Sequence, residues 1–175
     1  MNHTSALLFA LALTAGCDEV SSEPADGYRT AAPDLSTLID DGGCSDIILT
    51  RYAPDGGLSL VFSMHDSLAA DTVASETPQS DTIDLSMHGS LVLRSGHDVS
   101  WLECTDTFDE QELIEAEWTA RSGTVTLTTT LQERSDMPVL GTITITDAIL
   151  TADNAEDVEI ASMTWSAGVG WVAGG

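Results

Sequence analysis

Apolar residues recur at every second position through most of this chain, and that period restricts what it can fold into. Leu58, Leu60, Phe62 and Met64 alternate with Ser59, Val61, Ser63 and His65. Ile83, Leu85 and Met87 alternate with Thr82, Asp84 and Ser86, and Ile114, Ala116 and Trp118 with Glu115, Glu117 and Thr119. Val125, Leu127 and Leu131 share a parity against Thr124, Thr126, Thr128 and Thr130. Ile143, Ile145 and Ile149 oppose Thr142, Thr144 and Thr146. Successive side chains of a strand face opposite ways, so each run predicts one buried face and one wet face. Thr and Val also suit a pleated surface.

Turn residues separate the runs. Pro54-Asp55-Gly56-Gly57 divides 47–52 from 58–64 as a hairpin would. Ser95-Gly96-His97-Asp98 divides 91–94 from 99–104, Ser122-Gly123 divides 113–120 from 124–131, and 153–157 divides 142–150 from 158–165. No strand is followed by a long helical pattern, so crossover units are not expected. The expected fold is all-β: an antiparallel β-sandwich or flattened barrel of about eight or nine strands. One short helix is expected at 66–74, capped by Asp66 or Ser67 and plugging an open end.

The N-terminus has a different character. Ala6 to Ala15 reads ALLFALALTA, followed by Gly16, Cys17 and then Asp18 and Glu19. About ten apolar residues are too few to span a bilayer, which needs roughly 20, but they suit the core of a secretory signal. The segment Leu13-Thr14-Ala15-Gly16-Cys17 resembles the lipobox of bacterial lipoproteins. That resemblance implies a signal peptide at 1–16, cleavage before Cys17, and lipid on Cys17. The protein would then sit in the bacterial cell envelope, periplasmic or at the cell surface, with the membrane as its partner. Residues 17–43 carry seven acids and one Arg among Pro, Gly and Ser, and are expected to form a flexible acidic tether. Within it, 33–39 can make a helical turn that docks Leu35, Leu38 and Ile39. The β-domain is expected at 44–175, large enough for a real core.

Three cysteines leave one to explain in an exported chain. With Cys17 lipidated, Cys44 and Cys104 remain, either joined or as two separate buried thiols. An oxidising compartment favours the bridge.

The net charge is −24, all five basic residues are Arg, and there is no Lys. Such a chain repels phosphate backbones, which excludes nucleic acid as a partner. Repulsion by anionic headgroups also leaves membrane attachment to the lipid. From Cys44 onward, 22 acids stand against four Arg. Acids crowd two turns: Asp106, Asp109 and Glu110, and then Asp153, Asn154, Glu156 and Asp157. Loop carboxylates are Ca²⁺ ligands, so the second cluster is the candidate Ca²⁺ site, although neither cluster has EF-hand spacing. Diffuse screening by salt is the competing account. No other cofactor is expected.

Catalytic motifs are missing. There is no HExxH, no CxxC, no G-x-S-x-G and no phosphate-binding glycine loop. Glu115 and Glu117 share a strand face, but few aromatic residues exist to line a sugar cleft, so a solvated face is the simpler reading. His65, His88 and His97 sit at strand ends or in turns; a site joining His65, His88 and an acid requires folding to assemble it. The Thr ladders of 124–130 and 142–146 resemble, in two rows, the ice-binding grid of some antifreeze proteins; Thr is equally a favoured residue of any wet strand face. Trp165 is expected to close the core, and Trp171 to cap it or lie exposed. The functional expectation is a lipid-anchored binding or surface-interaction module whose protein or small-molecule partner the sequence does not name. The alternatives are a carrier with an apolar cavity and an enzyme whose site forms only on folding.

Overall fold

A computed structural model describes residues 29–65, 67–88, 90–104, 113–133 and 137–170. Cys17, the expected signal, most of the expected tether, the candidate cap Asp66 and Trp171 lie outside them. Eight strands appear in chain order: β1 (Asp40–Cys44), β2 (Ile48–Tyr52), β3 (Leu58–Ser63), β4 (Gln79–Asp84), β5 (Ser90–Gly96), β6 (Ile114–Leu131), β7 (Val139–Thr151) and β8 (Val158–Val169). One helix, α1 (Leu68–Ser75), lies between β3 and β4. Every strand pairing is antiparallel. The sheet runs β1-β2-β3-β5-β6-β7-β8, and β4 pairs β6 beside that path. It curls into a half-barrel, the all-β architecture that the period of two predicts.

The curl brings β1 up to β8. Gly43 packs so closely there that a Cβ would lie 2.5 Å from the Gly168 carbonyl oxygen. Gly170 N–H donates to Ser45 O at 2.8 Å, and the Arg51 guanidinium reaches from β2 to Thr164 O on β8, also at 2.8 Å.

The Ser122-Gly123 turn is not formed. β6 runs straight through it, and its register against β7 shifts on either side of Ser122. Gly123 has φ +123°, and a Cβ on it would lie 2.6 Å from Ala148 Cα. The dipeptide makes a bulge, which bends a strand instead of reversing it. Across that bend, Ile114–Thr119 pair with β5 and Thr124–Thr129 with β4. β7 takes the opposite edge, so β4 and β5 lie end to end along one side of β6.

The inward face is filled by Leu49, Leu60, Phe62, Leu93, Trp118, Leu127, Ile143 and Ile145, none more than 1% exposed. Trp165 is buried among the core residues as expected. Three expected core residues are not inside. Opposite the β6 bulge, Asp147 takes φ +50° and β7 changes face, so Ala148 and Leu150 point inward and Ile149 outward. Leu131 and Met87 are exposed because one ends β6 and the other lies in the turn after β4.

Residues Val99–Cys104 form a 3₁₀ segment, not the expected strand. The Cys44–Cys104 disulfide is present, with Cα atoms 5.9 Å apart. It holds this segment over the outer face of the sheet, where Val61, Val99 and Leu102 are buried apart from the main core. β3 is therefore covered on both faces. Closing a loop of 60 residues contributes roughly 4 kcal/mol in the chain-entropy model.

The domain also begins earlier than expected. β1 recruits Asp40–Gly43 from the anticipated tether, and Thr30 bridges to Ala155. Between them Leu35–Thr37 form a 3₁₀ turn capped by Asp34, with Leu38 buried, Leu35 partly buried and Ile39 exposed. α1 packs against β4, β6 and β7. Its Thr72 hydroxyl meets that of the fully buried Thr129 at 2.6 Å.

Candidate functional site

The bend in β6 creates a gap in the sheet. β3 pairs β5 from Leu58 to Ser63, and beyond that the chain leaves through Met64 and His65 toward α1. Among the described residues, no strand follows it alongside β4. The result is a depression of about 720 Å³ lined by Ser63, Met64, His65, Asp81, Thr82, Ile83, Asp84, His88 and Ser90. Ile83 is buried and Met64 half-buried, giving an apolar floor. His65, Asp81, Asp84 and His88 are exposed around it. Folding thus brings together His65, His88 and carboxylates that lie up to 23 residues apart in the chain.

Hydrogen bonds set the carboxylates. Asp84 Oδ1 accepts from the Ser86 hydroxyl at 2.7 Å and from its N–H at 2.9 Å. These bonds, the hydroxyl first, hold the Asp84 carboxyl below its ordinary 3.8, and the charge on His88 acts in the same direction. Asp81 Oδ1 accepts the N–H of Thr82 at 2.7 Å. The site offers anionic oxygens, two imidazoles and an apolar floor, a set suited to binding. Among the described residues, no three His, Cys, Asp or Glu side chains gather closely enough to hold a metal ion.

The proposed Ca²⁺ loop has other partners. Asn154 O accepts Thr30 N–H at 2.8 Å, Glu156 N–H donates to Thr30 O at 2.9 Å, and Glu156 Oε2 accepts Ala32 N–H at 3.3 Å. Ala155 O accepts the Arg29 guanidinium, and Glu156 O accepts the Trp118 indole N–H at 2.9 Å. Asn154, Ala155 and Glu156 thus meet the strap formed by residues 29–32, a partner hidden while that strap reads as tether, and Asp153 and Asp157 bracket them in the chain. The other acidic turn, Asp106 to Glu110, lies outside the described residues. Glu117 is paired with Arg94 at 2.8 Å, and His97 lies 3.3 Å from Asp98 at the exposed end of the β5 turn.

The Thr ladders extend further than the sequence indicates. Ser80, Thr128, Thr142 and Ser166 form one row, Thr82, Thr126, Thr144 and Thr164 a second, and Asp84, Thr124, Thr146 and Ser162 a third. Hydroxyls meet across the strands, Thr142 to Ser166 at 2.8 Å and Thr144 to Thr164 at 3.0 Å. These rows lie on the outer side of a curled sheet, so they are no planar template. Cross-strand pairing, roughly 0.2–1 kcal/mol per pair, is the role this geometry supports.

Comparison with protein-family models, with curated proteins and with solved structures finds no match to this chain.

Proposed function

We propose that this chain is an exported lipoprotein of the bacterial cell envelope, held by lipid on Cys17, whose β-domain is a binding module using the depression beside β4. The observation that carries the binding role is the distribution of groups. The interior is filled by packed side chains, while titratable groups collect over an apolar floor at a gap in the sheet. A filled interior speaks against a carrier with an apolar cavity. The Cys44–Cys104 disulfide supports an oxidising compartment, and it leaves Cys17 as the odd cysteine that the lipobox resemblance explains. No helix among the described residues is long and apolar enough to cross a membrane, which is consistent with attachment by lipid.

The binding role is tested by an NMR screen of the isotope-labelled protein against short peptides and small polar molecules. Saturable shifts centred on Met64, Thr82, Asp84 and His88 are expected. Hits confined to other surfaces, or no hits, would contradict it.

A further inference from the structure

We infer that the gap beside β4 takes an extended, basic peptide segment, which joins the sheet as an added strand. The inference rests on the binding role proposed above and names its partner.

Among the described residues, β4 is bonded along one edge only, to β6. In an antiparallel ladder, alternate residues exchange bonds with the partner strand. Leu85 N–H donates to Gly123 O at 3.0 Å, in phase with Ile83, Asp81 and Gln79. The backbone groups of Ser80, Thr82 and Asp84 therefore point the other way, into the gap. Two of these groups are occupied from within the chain. Asp84 O accepts the His88 and Met87 N–H groups, at 2.9 and 3.1 Å, and Thr82 N–H is taken by Asp81 Oδ1. Ser80 N–H, Ser80 O, Thr82 O and Asp84 N–H remain open among the described residues. Asp81 Oδ1 thus stands where the carbonyl of an added strand would accept. Strand addition replaces that carboxylate with a peptide carbonyl and frees it for a cation, and strand addition to an exposed edge is a recurrent mode of peptide recognition.

Charge selects the occupant. The gap carries Asp81 and Asp84 on a chain of net charge −24. A second copy would bring the same carboxylates against their counterparts, which repels self-pairing through β4. A segment rich in Lys or Arg is complementary. Its alternate side chains would rest on Ile83 and Met64.

The probe is a synthetic octapeptide of alternating Lys and Val, added to the folded, disulfide-bonded protein. Saturable binding is expected, with slowed amide exchange at Ser80 and Thr82. Asp81→Asn with Asp84→Asn should weaken it about tenfold or more. Thr82→Pro removes one edge donor while leaving the β6 ladder intact and should weaken it to a similar degree. The same peptide N-methylated at alternate residues tests the ladder without altering the protein, should the proline variant fold poorly. Equal binding by the N-methylated and unmodified peptides would overturn strand addition, as would the absence of saturable binding. Shifts at His65 and His88 without protection of Ser80 and Thr82 would also overturn it, yet would leave the depression as a binding site.

Discussion

The Thr72 hydroxyl lies 2.9 Å from Leu68 O and 2.6 Å from the Thr129 hydroxyl, so a polar chain runs from α1 into the barrel interior. Thr72 has one proton, and donating it to Leu68 O makes Thr129 the donor to Thr72. The two residues are therefore not equivalent. Thr72→Val leaves the Thr129 hydroxyl buried without its acceptor and should cost about 1–3 kcal/mol. Thr129→Val leaves Thr72 bonded to Leu68 O and should cost less. The double variant should recover part of the Thr72→Val loss. Urea denaturation of the three variants gives the comparison, and equal, additive losses would mean that the hydroxyls are not coupled.

Much of this core was legible before folding, because a buried face repeats wherever a strand does. Leu60, Phe62, Ile83, Trp118, Val125, Leu127, Ile143 and Ile145 were all recognisable by parity, and all are buried. The sequence misleads where one local signal serves two geometries. Gly123 permits the positive φ of a turn and that of a bulge equally, and only its contact with Ala148 on β7 decides between them. Val99 and Leu102 have the composition of a strand, but the disulfide fixes them on the outside of the sheet. The depression beside β4 had only a faint sequence signal, two His residues just past strand ends. It exists because β4 and β5 share one edge of β6, a non-local pairing that no local pattern encodes.

Asp84 and Asp41 should titrate on opposite sides of the ordinary 3.8. The Ser86 hydrogen bonds lower Asp84, so its contribution to stability is present above 3.8 and lost as pH falls through its folded value. Burial raises Asp41, outweighing Arg51 at 3.5 Å, with Asp40 adding to the rise. Its contribution is present below 3.8 and fades as pH rises through the raised value. Carboxyl-carbon NMR titration should place the Asp84 midpoint below that of Asp41, and Ser86→Ala should raise the Asp84 midpoint alone. An Asp84 midpoint at or above 3.8 would show that the Ser86 bonds do not form.

Net charge makes salt a stability variable. Exposed carboxylates repel one another on a chain of net charge −24, and screening of that repulsion is the expected effect of added cations. NaCl and CaCl₂ at matched ionic strength should raise the melting temperature alike. A saturable rise at low Ca²⁺ that NaCl cannot reproduce, and that Asp157→Asn reduces, would instead establish a specific site.

Attachment through Cys17 is the claim on which the placement of the whole molecule depends, and the intact mass of the mature protein from bacterial membranes tests it most directly. Lipidation predicts loss of residues 1–16, acyl chains on Cys17, and release into the soluble fraction or failure of cleavage for Cys17→Ala. An unmodified mature N-terminus on the wild-type chain would contradict it.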